Sequence, residues 1–122
     1  MLSERITSIV FTSTAKNKMN NSKVVIIGYA CDEGVRRNNG RVGAKDGPNA
    51  IRKCMGKLPP QSIDKGNITC KDGNLEKTQQ ELGERVEKEL KKGDFPLVIG
   101  GGHDIAYGHF LGINNAIKGA VG

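Results

Sequence analysis

The chain has 122 residues, of which 36% are hydrophobic, with 17 glycines, no tryptophan and few aromatics; this limits it to one domain with a modest aliphatic core. Its 19 basic and 13 acidic residues give a formal charge of +6, but the lysines are scattered, no aromatics interleave with them, and the segment near residue 80 mixes both signs, so no nucleic-acid partner is expected. Glu4, Arg5 and the short apolar run Ile9-Val10-Phe11 match neither a signal peptide nor a membrane span, so a soluble, cytoplasmic protein is expected.

Residues 1–22 end in the polar cluster 16–22 and are read as a weakly structured leader, in which Ile6, Ile9 and Val10 could dock as one helical turn; the domain proper is expected over 23–122. Residues 23–30 form a continuous β-branched run, the mark of a parallel strand covered on both faces. A glycine-rich, polar loop is expected over 31–47, after which Pro48 suits the first turn of a short helix through 49–55. Residues 62–70 read as a short second strand with a glycine interruption, at a sheet edge. From 75 to 92, Leu75, Leu82, Val86 and Leu90 recur at helical spacing among Glu and Lys, and Gly93 is a natural stop. A third strand follows Pro96, then a glycine turn and a helix over about 103–118, and residues 119–122 read as the start of a further strand. Strand and helix alternate throughout, which predicts an α/β fold with a parallel sheet and right-handed crossovers.

Cys31, Cys54 and Cys70 are odd in number, far apart and without C-x-x-C spacing, as expected of reduced thiols rather than a zinc site. Cys31 and Cys70 fall at strand ends, where a thiol packs as a small hydrophobe.

Two segments concentrate chemistry at the carboxyl edge of the predicted sheet, where open α/β folds bind ligands. In Pro96-Leu97-Val98-Ile99-Gly100-Gly101-Gly102-His103-Asp104, a buried-strand pattern runs through three glycines to a histidine at a helix start. The positive helix end keeps its ring neutral, the form a metal needs. His103 is read as a metal ligand, with helix capping or packing the open alternative. His109, six positions on, would point about 120° away and is not expected as a co-ligand. Asp104 is the last acidic residue, so most ligands of any such metal lie outside this sequence. The second segment, 32–48, sets three arginines and two asparagines among four glycines. It suits bidentate recognition of carboxylates around a small ligand, or equally a solvated loop whose charges pair with Asp32, Glu33 and Asp46.

Together the two segments resemble the ureohydrolase family of arginase, agmatinase and formimidoylglutamase. Gly100-Gly101-Gly102-His103-Asp104 resembles its first metal-binding motif, and Gly47-Pro48-Asn49-Ala50-Ile51-Arg52 its loop-to-helix signature. Asp32-Glu33-Gly34-Val35-Arg36-Arg37-Asn38 with Gly40-Arg41-Val42-Gly43-Ala44 looks most like formimidoylglutamase. The resemblance covers about residue 24 to the end and implies the amino-terminal part of a three-layer, arginase-like α-β-α domain.

It implies further a binuclear Mn2+ site with His103 as a terminal ligand. A hydroxide would attack the amidine carbon of N-formimidoyl-L-glutamate, releasing glutamate and formamide in histidine degradation. Arg37, Asn39 and Arg41 become candidates for substrate-carboxylate contacts, Arg36 a solvated residue, and Arg52 a structural one with an ion pair beneath the loop. The family's second motif, Asp-Ala-His-x-Asp, and its later aspartate-rich motif are missing here. One imidazole cannot hold a manganese pair, so no catalytic residue is assigned within this chain, and the chain alone is expected to be inactive. The complete protein is expected to form a homo-oligomer. Agmatinase or arginase activity on a guanidinium substrate, and a non-enzymatic fragment whose unfinished sheet edge seeks a partner strand, remain open alternatives.

Overall fold

A computed structural model describes residues 22–118; the expected leader over 1–21 and the expected strand start at 119–122 lie outside the described residues. Three parallel strands, β1 (Val24–Ala30), β2 (Ser62–Thr69) and β3 (Phe95–Gly100), form a sheet in the order β2-β1-β3. Four helices connect and cover them: α1 (Glu33–Arg37), α2 (Gly47–Met55), α3 (Leu75–Lys91) and α4 (Ile105–Ile117).

The middle strand explains the β-branched run. Val25, Ile26 and Ile27 are all buried, because alternate side chains enter opposite layers and both are covered. On one face Val25, Ile27, Tyr29 and Ile68 pack with Leu82 and Val86 of α3 and Ile113 of α4. Each such side chain contributes about 1.5–3 kcal/mol relative to exposure. The other face carries Ile26 and the α2 side, where Pro48 is buried. Helices α3 and α4 approach closely where Gly112 lies over Gly83; a Cβ on Gly112 would stand 2.5 Å from the Gly83 carbonyl oxygen.

Most element boundaries fall within a residue or two of those predicted, and the departures have local causes. The expected loop over 31–47 contains α1, preceded by Asp32 and stabilised by Glu33 in its first turn and Arg36 and Arg37 in its last. Those charges favour the helix dipole and pair across one turn. A 3-10 turn, Ala44–Asp46, leads directly into α2, which begins at Gly47. Strand β3 starts at Phe95, so Pro96 lies inside it, which is tolerated because β3 pairs only with β1 among the described residues. Helix α4 starts at Ile105, two residues later than predicted, leaving His103 in the preceding turn. Asn74 caps α3 by accepting the Lys77 amide at 3.1 Å, and Gly93 follows its end with φ +84°, the left-handed conformation that stops a helix.

Candidate functional site

Because all three strands are parallel, the segments that follow β1, β2 and β3 emerge at one end of the sheet. The glycine turn after β3 is stitched to the end of β1 by the Gly102 amide, which donates to the Cys31 carbonyl at 2.7 Å. The two chemistry-bearing segments of the sequence therefore lie side by side. His103 stands at this rim with an exposed ring, in the turn whose carbonyl accepts the Ala106 amide. The ring is accessible rather than enclosed by hydrocarbon.

The neighbouring Asp104 turns the other way. Its Oδ2 accepts a hydrogen bond from the Tyr29 hydroxyl at 2.9 Å and is approached by the Cys31 thiol at 3.6 Å, while its main-chain carbonyl accepts from Gln79 Nε2 at 2.9 Å. Its Oδ1 is buried without a hydrogen-bond partner. This cluster ties the first turn of α4 to the central strand and to α3. Burial, and then the bond to Asp104, raise the Tyr29 pKa well above the usual phenol value; burial pushes the Cys31 thiol up to about 12. Both groups are therefore neutral donors to the carboxylate at ordinary pH. The periodicity of the sequence marks Tyr29 as core, but nothing in a one-dimensional pattern pairs it with a residue 75 positions away.

The loop after β1 is drawn together by its acids. Asp32 Oδ2 accepts the amides of Gly43 at 2.7 Å and Lys45 at 3.3 Å, folding the distal half of the loop back onto the strand end. Glu33 is buried and held by Arg36 Nε at 2.8 Å and Arg37 Nε at 3.3 Å; the Arg36 contact is the main cause of its lowered pKa. Arg37 also reaches Glu76 on α3, at 2.6 and 3.2 Å, and the Gly73 carbonyl at 2.9 Å. That bidentate pair with Glu76 is the first cause of its raised pKa. Asn39 and Arg41 are exposed, Asn39 with a positive φ of 57°. Of the three candidate carboxylate contacts, Arg37 is thus already engaged by two carboxylates of the chain, while Asn39 and Arg41 face solvent. A cavity of about 270 Å³ opens beside the loop, lined in part by Cys31, Asp32, Glu33, Arg36, Lys45 and Cys70.

Arg52 lies on α2, where its ion pair runs to Asp64 of β2, through Nε at 2.7 Å and Nη2 at 2.9 Å. It also bonds Asn67 and the Gly66 carbonyl. This network clamps α2 to β2 at the register shift between Ile26 and Gly28. His109, on α4, is partly buried, and burial lowers its pKa.

No three His, Cys, Asp or Glu side chains converge to hold a metal among the described residues. His103 offers an exposed imidazole, and one oxygen of the adjacent carboxylate is bonded to Tyr29. The residues fit a single arm of a metal cage, not the whole of one. Among the described residues, no helix is long and apolar enough to cross a membrane.

The sequence profile of the Arginase family matches residues 22–122. A formimidoylglutamase of Chromobacterium violaceum is 53% identical over 97 residues, covering 76% of this chain and 31% of the relative. A second, from Geobacillus thermodenitrificans, is 48% identical over 97 residues, covering 75% and 30%. Among solved structures, Trypanosoma cruzi formiminoglutamase with Mn2+ superposes with a TM-score of 0.70 at 34% identity, over 80% of this chain and 36% of that one. Bacillus subtilis arginase gives 0.61 at 31% identity, over 75% and 33%. The chain spans about a third of the length of the curated relatives it matches.

Proposed function

The chain belongs to the arginase family, and we propose that it carries the first metal-binding turn and the substrate-facing loop of a manganese-dependent formimidoylglutamase. The observation that carries this reading is the juxtaposition of the exposed His103 turn with the β1 loop, joined by the Gly102–Cys31 hydrogen bond, in a sequence about half identical to formimidoylglutamases. Similarity to a structure holding Mn2+ supports the choice of metal. The family's arginases make agmatine or arginine the competing substrates.

In this proposal His103 donates one imidazole nitrogen to manganese. When bound, the metal supplies Lewis-acid polarisation of water and of the amidine carbon, the chemistry needed to cleave the C–N bond of N-formimidoyl-L-glutamate. The chain's own residues orient and bind. The Asp104–Tyr29 bond fixes the turn from which His103 projects. Arg41 and Asn39 are free to meet the two carboxylates of the substrate. Arg37 joins them only by exchanging its Glu76 partner for substrate, a swap between two bidentate pairs of similar strength. With a single candidate ligand, the chain by itself is proposed to be inactive. The reading includes a cytoplasmic, homo-oligomeric complete enzyme without nucleic-acid partners. Three free cysteines suit the cytoplasmic part of this reading, and basic residues such as Arg37, Arg52 and Lys65 that already pair within the chain suit the lack of a nucleic-acid partner.

The test is a chimera in which this chain replaces the corresponding third of the Chromobacterium violaceum relative, assayed with N-formimidoyl-L-glutamate, agmatine and arginine beside the chain alone. Formamide released by the chimera only is the expected result. Urea released from arginine or agmatine in its place would overturn the substrate assignment.

A further inference from the structure

The three free cysteines are not equivalent. Ala30 and Thr69 are the last paired positions of β1 and β2, and Cys31 and Cys70 are the next residue on each strand. They leave the sheet side by side. Strand alternation puts both on the face covered by α3 and α4, where Cys31 belongs to the core and Cys70 packs against it. The Cys70 side chain reaches Cys31, and that contact helps hold the proton on the Cys31 thiol. Both line the cavity of about 270 Å³ beside the loop, and their exposure differs: Cys31 is buried and Cys70 is partly open. Neighbouring strands lie about 4.8 Å apart, within the Cα separation of about 4.4–6.8 Å that a disulfide spans. Cys54 is exposed on α2 and belongs to no such pair.

We propose that Cys31 and Cys70 form a reversible dithiol–disulfide pair, oxidised by a low-molecular-weight disulfide such as oxidised glutathione. The accessible Cys70 gives its proton to solvent and attacks one glutathione sulfur. The glutathione S–S bond breaks, and one glutathione thiolate leaves and is protonated. Cys31 then attacks the Cys70 sulfur of the mixed disulfide. The second glutathione leaves as a thiolate and takes up the proton that Cys31 loses. Two protein thiols are oxidised and one glutathione disulfide is reduced to two thiols, so atoms and electrons balance. The product ties β1 to β2 at the root of the DEGVRR segment and draws the Cys31 sulfur off Asp104 Oδ2, which it approaches at 3.6 Å in the dithiol form. This inference stands apart from the metal and substrate assignments.

The experiment uses the full chain carrying Cys54→Ser, equilibrated across a series of reduced and oxidised glutathione ratios, quenched in acid, unfolded and alkylated. Intact mass and peptide mapping then read the state of each thiol. The expected result is loss of both alkylatable thiols together, a cross-linked peptide joining Cys31 to Cys70, and full recovery on reduction. With Cys70→Ser added, the buried Cys31 stays an alkylatable thiol at every ratio. A stable glutathione adduct on Cys70 with Cys31 still alkylatable, in the Cys54→Ser chain, would overturn the proposal, and that readout needs no second variant to fold.

Discussion

Replacing Gly101 by alanine tests how the glycine turn is held against the central strand. A Cβ there would lie 2.5 Å from the Cys31 carbonyl oxygen, closer still to that of Tyr29, and 3.1 Å from Tyr29 Cδ1. The Tyr29 oxygen lies within β1, which is paired on either side by β2 and β3, and the Cys31 oxygen follows directly after that strand, so neither can readily retreat. The turn must lift instead, breaking the 2.7 Å bond from the Gly102 amide to Cys31. Overpacking costs about 1–3 kcal/mol and a lost internal hydrogen bond about 1 kcal/mol, so Gly101→Ala should destabilise the chain by about 2–4 kcal/mol. The adjacent Gly100 provides the control. The three atoms nearest a Cβ on Gly100 all belong to the side chain of Ile105, chiefly its terminal methyl, which can change rotamer, so Gly100→Ala should cost less than about 1.5 kcal/mol. Urea unfolding followed by circular dichroism measures both, as midpoint shifts at constant slope. Equal costs for the two substitutions, or a greater cost at Gly100, would show that the turn is not pinned against the Tyr29 and Cys31 carbonyls.

Removing the Arg52 guanidinium strips Asp64, Asn67 and the Gly66 carbonyl of a shared donor; Arg52→Ala should cost about 1–3 kcal/mol in the same assay, and Arg52→Lys should recover little of it because an ammonium cannot bond Asp64 in two places. Arg52 also lowers the Asp64 pKa. The stability from this pair is therefore present above the unfolded carboxylate value of about 4 and lost as pH falls through the lower folded value, so Arg52→Ala should flatten the acid end of the stability profile. His109 acts at higher pH. Its folded pKa is lowered by burial from 6.5, so the unfolded chain takes up a proton that the folded chain refuses, and stability falls as pH drops below that value. His109→Gln should remove that part of the decline, which thermal melts at pH 7.5 and 5.5 would show.

What the sequence reveals here divides by the range of the interaction. The buried strand at Val24–Ala30 and the helix at Leu75–Lys91 were legible because their apolar periods are local and long. The placement of His103 beside the DEGVRR segment followed from topology, since parallel strands deliver their trailing loops to one edge. Helix α1 was not legible. Its five residues are too few for a periodic signal, and its stability rests on Glu33 meeting two arginines one turn on. The pairing of Arg37 with Glu76, 39 positions away, and of Tyr29 with Asp104 required the fold. Charge and spacing mark such residues as available for bonding but do not name the partner.

Whether His103 holds manganese is read from the metal content of the chimera with and without His103→Ala, measured by elemental analysis after gel filtration. His103 is exposed and makes no side-chain hydrogen bond in the fold among those described, so the substitution should change the unfolding free energy by less than about 0.5 kcal/mol. The predicted result is fewer manganese ions bound per chain at an unchanged melting temperature. Manganese content equal to that of the unsubstituted chimera would contradict it.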